Sequence, residues 1–346
     1  MTWKKALYNY GNAKNQAELE GSVEPLAALL EDKVYVDHQH ARLRQTALLR
    51  QERGTKPLRN ETALKWSQIE ETDTQVIADI QLHRTFHYAI GRVEHIEERI
   101  ELERVTLNRK KNGWQVLRSE ARQSEKSPKF ANAHPSAAAG KASLSLMADE
   151  QASMSHQRMP SIPYINYSIL NKEEILPRKI RYDRDKVVQY AEAWWNKPNP
   201  KYLEFAVDCT NFVSQCLYAG NAPMDYTGKR ESGWWYSGKQ GNRELWSFSW
   251  AVAHSLQSFT AASRKGMRGT IVSKAQELRP GDMISYDWDG DGRYQHNTIV
   301  TALDANGMPL VNAHTYNSRN RYWDYRDSPA WTERTRYVFV QIADEM

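Results

Sequence analysis

The spacing of apolar residues changes once in the N-terminal third of the chain. Between about residues 15 and 54, apolar positions such as Leu19, Val23 and Leu26 recur at three- and four-residue steps, which is typical of amphipathic helices. Beyond the break at Gly54, every second residue becomes apolar, as in the segment 100–107. The change of period predicts helices followed by an antiparallel sheet, an α+β unit over residues 1–122.

The remaining chain divides at a segment with little periodicity. Residues 123–163 are rich in Ser, Ala, Lys, Gln and Met, which predicts a flexible linker. A chain of 346 residues exceeds the usual single-domain size. We therefore predict an N-terminal accessory domain over 1–122, whose pattern resembles the nuclear-transport-factor-like (NTF2-like) or cystatin-like folds, and a second α+β domain over 164–346.

Charge and hydropathy exclude several function classes. The net charge is +5, but acidic residues are interspersed with the basic ones, so the composition does not favour a nucleic-acid partner. The start of the chain has no apolar run after its first lysines, and no apolar run reaches membrane-spanning length. These observations predict a cytoplasmic protein without a membrane span, and any association with a cell wall would need another export route.

One cysteine stands where a nucleophile is expected. Cys209 lies in the first turn of a short apolar helix that Gly220 is expected to end, and the partial positive charge of a helix start favours a thiolate. Cys216 lies seven residues later, roughly 10 Å along the same helix, so a disulfide is excluded and a buried hydrophobic role is expected. A thiol nucleophile also needs a base, and His296 and His314 lie downstream in a region that alternates like a sheet.

The two histidines belong to a predicted hairpin. If Ala305-Asn306-Gly307 forms its loop, Asp304 pairs with Met308 and the strands run back through residues 296–303 and 308–316. His296 and His314 then share a face as diagonal neighbours, roughly 7 Å apart at the backbone. A two-residue turn at Asn306-Gly307 would shift the register by one residue and place His314 on the opposite face from His296.

These motifs, taken in order, resemble a known family. Asp-Cys-Thr-Asn-Phe-Val-Ser-Gln-Cys at 208–216, Leu-Arg-Pro-Gly-Asp at 278–282, the histidine at 296 and Ala-His-Thr at 313–315 resemble the Putative amidase domain family, which is related to the papain-like NlpC and CHAP cell-wall hydrolases. The resemblance covers roughly residues 178–343. It implies a papain-like fold and a Cys-His-polar triad that cleaves amide bonds, typically in peptidoglycan or wall-derived peptides.

The resemblance also assigns roles to residues. It implies Cys209 as nucleophile, His296 as base and His314 as the orienting residue, without a cofactor. Asp208 is expected to brace the loop, and Asn312, one pair further from His296, is the weaker choice for the third member. The backbone N–H of Cys209 is the expected oxyanion donor.

Two alternatives use the same sequence differently. Adjacent Trp234 and Trp235 are not expected to point inward together, so we predict that they line a substrate cleft, and a non-catalytic module binding peptidoglycan or a peptide would use the same aromatic surface. The N-terminal unit could also regulate the other by covering its groove.

Metal sites are not expected. The loop Asp287–Gly292 imitates half a calcium loop but has Thr298 where the acidic ligand belongs. A zinc site of Cys209, His296 and His314 remains the metal alternative to the thiol mechanism.

Overall fold

Helices precede a sheet in the N-terminal part, as the change of period predicts. The computed structural model describes residues 2–111, 113–125, 179–240, 243–263 and 266–346. The N-terminal elements are α1 (Trp3–Glu20), α2 (Glu24–Ala27), α3 (Lys33–Arg53), β1 (Thr55–Glu71), β2 (Gln75–Ile90), β3 (Val93–Lys110) and β4 (Gly113–Ala121). The helical region begins earlier than expected, because the side chain of Thr2 caps α1 by accepting a hydrogen bond from the backbone N–H of Lys5.

The C-terminal part alternates short helices and strands. Its helices are α4 (Arg184–Trp194), α5 (Cys209–Ala219), α6 (Phe248–Ala251) and α7 (Ala253–Ala262), with a 3₁₀ turn at Ala275–Glu277. Its strands are β5 (Tyr236–Gln240), β6 (Arg243–Trp246), β7 (Gly269–Val272), β8 (Met283–Asp287), β9 (His296–Leu303), β10 (Pro309–Ala313), β11 (Ser318–Tyr322) and β12 (Arg336–Ile342).

One antiparallel sheet runs through both parts of the chain. Among the described residues it has ten strands, in the order β1-β2-β3-β11-β10-β9-β8-β12-β7, with β4 added to β3. The two parts meet where β3 pairs with β11, with Arg99 opposite Ser318, and where the N–H of Ile100 donates to the carbonyl of Asn317 at 2.9 Å. The α+β prediction is confirmed, and residues 1–126 and 180–346 group into one compact unit.

The predicted linker falls largely outside the described residues. Residues 126–163 of the segment 123–163 are not described, so the boundaries of the two predicted domains stay a prediction. Glu125, at the end of the described N-terminal part, is buried and pairs with Arg321.

The helix α5 packs against strand β9 and against α4. Its apolar residues Phe212, Val213, Cys216 and Leu217 share one core cluster with Ile299 of β9. Gly220 ends the helix as predicted, but its φ of −77° is an ordinary right-handed value. Space explains this glycine, because a Cβ there would lie 2.3 Å from Cγ2 of Val187 on α4.

The opposite face of the C-terminal strands carries a second cluster. Tyr286, Trp288, Val300 and Tyr325 are buried there with Leu278, Ile284, Val311 and Ala330. Along β9, Ile299 therefore faces the helix side, and Val300 faces this second cluster. Which face a residue of β9 occupies thus decides whether it can approach Cys209.

Candidate functional site

Cys209 is the first residue of α5 and is buried. Its backbone N–H donates to the hydroxyl oxygen of Thr315 at 3.2 Å, and the N–H of Asp208 donates to the same oxygen at 3.0 Å. Only 2% of Cys209 is exposed. Burial raises the pKa of its thiol above the usual value, although hydrogen bonds from the backbone of Asn297 and the side chain of Thr210 act in the opposite direction. The expectation that the helix start favours the thiolate is therefore wrong for the net effect, because desolvation raises the thiol pKa by more than the hydrogen bonds lower it.

His314 contacts Asp208, the residue before this cysteine, and is hydrogen-bonded on both ring nitrogens. Nδ1 is 2.7 Å from Oδ2 of Asp208, and Nε2 is 2.7 Å from the backbone carbonyl oxygen of Trp194. The ring also stacks on Phe212, one helical turn after Cys209, at a centroid distance of 4.1 Å. Because the carboxylate and the carbonyl both only accept, His314 fills both bonds when both nitrogens carry a proton.

Asp208 is fixed by the loop that precedes α5. Its Oδ1 accepts hydrogen bonds from the backbone N–H of Phe205 at 3.1 Å and from Nδ2 of Asn211 at 2.8 Å. The other carboxylate oxygen is thereby aimed at His314. Asp208 thus braces the loop and in addition orients an imidazole, a contact that the sequence analysis did not anticipate.

His296 lies on the other face of the sheet, so the predicted grouping of Cys209, His296 and His314 is wrong. Its ring sits among Tyr286, Trp288 and Tyr325 at centroid distances of 5.4, 5.8 and 5.4 Å. Neither ring nitrogen has a hydrogen-bond partner within the described residues. Burial, with a smaller contribution from the charge of Arg321, lowers the pKa of His296 to about 3.

A β-bulge explains this error. The hairpin begins as predicted, since the N–H of Asp304 donates to the carbonyl of Met308 at 2.8 Å and Leu310 pairs with Ala302. The next pair is Val311 with Val300, so Thr301 has no partner across the strands. This extra residue shifts the register by one and exchanges the two faces of β9 beyond it. Asn297 then faces Cys209 in place of His296.

Asn312 lies in β10, and its side-chain amide hydrogen-bonds to neighbouring elements. Its Nδ2 donates to Oε1 of Glu192 on α4 at 2.8 Å, and its Oδ1 accepts from the hydroxyl of Thr301 at 3.0 Å and the N–H of Asn320 at 2.8 Å. These contacts join α4 and the bulge to the sheet, and none of them reaches the thiol.

Trp234 and Trp235 do not line a cleft, since their exposed fractions are 0% and 1%. Trp234 packs against Trp250 and donates its indole N–H to Oγ of Ser214 at 3.0 Å. Trp235 packs against Tyr226 at a centroid distance of 4.9 Å. Because both side chains are buried, they cannot form the predicted substrate-binding surface, and the aromatic-cleft alternative loses the two residues on which it was based.

Several polar residues around Cys209 were not predicted. Thr210, Ser285, Asn297 and Thr315 are all buried within hydrogen-bonding networks at the site. Thr315 also has a φ of +80°, a rare conformation for a β-branched residue and one that concentrates at functional sites. The Ala-His-Thr motif contained Thr315, and the parity of β9 would have identified Asn297 had the bulge been known.

Metal and membrane features can be stated for the described residues. No three His, Cys, Asp or Glu side chains there come close enough to hold a metal, so the alternative zinc site of Cys209, His296 and His314 does not form. Asp287, in the loop that imitates a calcium site, instead accepts backbone N–H bonds from Gly290 and Gly292 at 2.8 and 2.7 Å. No helix in this part of the chain is both long and apolar enough to traverse a bilayer.

Comparisons with known proteins agree with the sequence resemblance. Residues 181–340, in the C-terminal half of the chain, match the model of the family described as "Putative amidase domain". Two Bacillus subtilis (strain 168) proteins are similar. "Uncharacterized protein YhbB" is 52% identical over 182 residues, 52% of this chain and 57% of that protein. "Uncharacterized protein YjcM" is 28% identical over 147 residues, 40% of this chain and 32% of that protein.

The chain thus spans only part of the length of these relatives. Among solved structures, "Crystal structure of intermembrane space region of chloroplast protein ARC6" aligns with 34% of this chain and 92% of that chain, at 14% identity and a TM-score of 0.27. That likeness is too low to assign a fold.

Proposed function

We propose that the C-terminal domain hydrolyses amide bonds with Cys209 as nucleophile, His314 as acid and base, and Asp208 as the residue that orients the imidazole. The contact that carries this proposal is the 2.7 Å pair of His314 Nδ1 and Asp208 Oδ2, because it places an oriented imidazole beside the residue that begins the helix. The family match at residues 181–340 supports an amide as the bond that is cleaved.

The reaction begins from the neutral His314 ring that carries its one proton on Nδ1, toward Asp208. Its unprotonated Nε2 turns from the carbonyl of Trp194 and accepts the thiol proton. The sulfur of Cys209 then attacks the amide carbon and forms a C–S bond, and the tetrahedral intermediate collapses by breaking its C–N bond. The imidazolium gives its proton to the departing amine. Water, deprotonated by His314, hydrolyses the thioester and returns the free acid and the thiol.

The backbone N–H of Cys209 is the proposed oxyanion donor. In the present arrangement it donates to the hydroxyl oxygen of Thr315, so that oxygen occupies the place where the substrate oxygen would accept. Cys209 is also buried. Substrate binding therefore has to displace Thr315 and open the segment around it.

The proposed substrate is peptidoglycan or a peptide released from it, which follows from the resemblance to cell-wall hydrolases. We further propose that α5 on strands β8, β9 and β10 forms a papain-like core, and that residues 1–122 form an accessory domain of the NTF2-like or cystatin-like type. The helix that bears the cysteine and packs on an antiparallel sheet supports the first of these assignments.

The direct test incubates the full chain with purified peptidoglycan and identifies the products by mass spectrometry. New free amines are expected with the wild type and absent with Cys209→Ala. Cys216→Ala is the matched control, because it removes the other buried thiol of the same helix. Undiminished hydrolysis by Cys209→Ala would overturn the proposed mechanism, and loss of hydrolysis on adding a chelator would point to a metal.

A further inference from the structure

A row of buried polar groups links β8 and β9 to the sulfur of Cys209. The hydroxyl of Ser285 lies 2.6 Å from Oδ1 of Asn297, and Nδ2 of Asn297 lies 3.1 Å from Oγ1 of Thr210. Oγ1 of Thr210 is 3.7 Å from Sγ of Cys209. All four side chains are buried. The row therefore has no contact with bulk water that would supply alternative partners.

The direction of each hydrogen bond follows from the surrounding acceptors. Nδ2 of Asn297 also faces the carbonyl oxygen of Ala253 at 3.4 Å, and a carbonyl can only accept. This contact fixes the amide, with its nitrogen toward Thr210 and its oxygen toward Ser285. Asn297 therefore donates to Oγ1 of Thr210, and the hydroxyl proton of Thr210 is left to point at the sulfur.

The row stabilises the charged form of the sulfur. A thiolate has no proton to donate, so it can only accept from the hydroxyl of Thr210, whereas a thiol needs no donor there. The backbone N–H of Asn297 acts in the same direction and lowers the pKa of this thiol. Hydrogen bonds to a charged acceptor are stronger than those to a neutral one, so both contacts favour the thiolate.

We propose that Thr210, held by Asn297 and Ser285, is a positioning residue that prepares Cys209 as the thiolate nucleophile. This inference rests on the proposed function, because it specifies how the same thiol is activated. It also answers a difficulty of the site, since a buried thiol beside the Asp208 carboxylate has few other groups that favour its negative charge. The imidazole supplies the route for the proton, and the row supplies part of the stabilisation of the anion.

The test measures the pH dependence of alkylation of Cys209 by iodoacetamide in the full chain, followed by mass spectrometry. Cys216→Ala serves as the background, so that one thiol remains. The midpoint of the pH profile reports the thiol pKa, and its plateau reports access to the sulfur. In Thr210→Val, which keeps the shape and loses the hydroxyl, we expect a midpoint about one pH unit higher, or about tenfold less thiolate below the midpoint.

Matched variants separate activation from structure. Thr210→Ser keeps the hydroxyl, so its alkylation midpoint is expected to equal that of the parent. Ser285→Ala removes only the hydrogen bond to Oδ1 of Asn297, so it is expected to shift the midpoint by less than Thr210→Val does. An unchanged midpoint in Thr210→Val would overturn the inference, even if the plateau changes. A sulfur that is not alkylated at any pH would also contradict it, because an activated nucleophile has to be reachable.

The outcome is distinguishable from failure of the proposed function. If Cys209→Ala hydrolyses peptidoglycan like the wild type, the proposed mechanism fails, but the alkylation profile still reports whether Thr210 stabilises the thiolate. If hydrolysis depends on Cys209 but the midpoint of the alkylation profile does not change in Thr210→Val, Cys209 remains the proposed nucleophile and the proposed role of Thr210 is wrong.

Discussion

His314 is held between an acid and a carbonyl, with its Nδ1 2.7 Å from Oδ2 of Asp208. The carboxylate lies on the residue immediately before Cys209, so the chain itself places the oriented imidazole near the thiol. The predicted pair of His296 and His314 on one strand face is thereby replaced by a pair formed between a strand end and a helix start.

Asp208→Asn should strongly reduce the rate of hydrolysis with little loss of stability. Its oxygen can keep the bonds from Phe205 and Asn211, while its new N–H₂ group donates to Nδ1 of His314 and leaves the proton of a neutral ring on Nε2. That tautomer cannot accept the proton of Cys209. We expect hydrolysis to fall roughly 10²- to 10⁴-fold, as in other triads that hold the wrong tautomer, with stability changed by about 1 kcal/mol.

Product release from peptidoglycan and urea unfolding measure these two effects. Asp185→Asn, an exposed carboxylate on α4, is the control and should match the wild type in both. Full activity in Asp208→Asn would show that this carboxylate does not set the proton position of His314.

Thr315→Val should destabilise the fold, and Thr315→Ser should not. Valine keeps the shape but removes the oxygen that accepts the N–H groups of Asp208 and Cys209, leaving two buried donors without this partner. We expect a loss of about 2–4 kcal/mol in the free energy of unfolding for valine and less than about 1 kcal/mol for serine. Urea denaturation compares them, and equal stability of the two variants would mean that the hydroxyl does not satisfy these groups.

His296→Phe should make the protein less sensitive to acid. Because the pKa of His296 is about 3 in the folded state and about 6.5 in an unfolded chain, the unfolded state binds more protons as the pH falls below about 6.5. The wild type should therefore lose about 2 kcal/mol from this residue between pH 7 and pH 5, and the variant should not. Phenylalanine also removes two buried nitrogens that lack partners within the described residues.

Urea unfolding at the two pH values checks this expectation. His254→Gln is the control, because it changes an exposed imidazole and leaves the buried one in place. An identical pH dependence in His296→Phe and the wild type would contradict the neutral, buried state of this ring.

Trp234→Ala should destabilise the folded protein. The substitution removes a fully buried indole from its packing on Trp250 and its hydrogen bond to Ser214, so we expect a loss of about 3–5 kcal/mol in the free energy of unfolding. Trp234→Phe keeps most of the packing and should lose less. Thermal or urea unfolding measures both, and an alanine variant as stable as the wild type would mean that this indole is not part of the core.

Local sequence patterns determined the elements and the candidate nucleophile. The change of hydrophobic period predicted helices before an antiparallel sheet, and the turn at Asp304–Met308 formed as its residues predict. The position of Cys209 at a helix start and the family resemblance of residues 181–340 were also visible in the sequence. These features depend on neighbours within a few positions, which a sequence pattern contains.

Tertiary structure alone decided which residues meet. The bulge at Thr301 reverses the faces of β9, and its side chain is held by Asn312 on the next strand, so the shift depends on packing between strands. Burial of Cys209 likewise outweighs the local effect of its helix start on the thiol pKa. Side-chain orientation in a strand has a period of two, and for that reason one extra residue was enough to send His296 to the opposite face and to bring Asn297 to the sulfur.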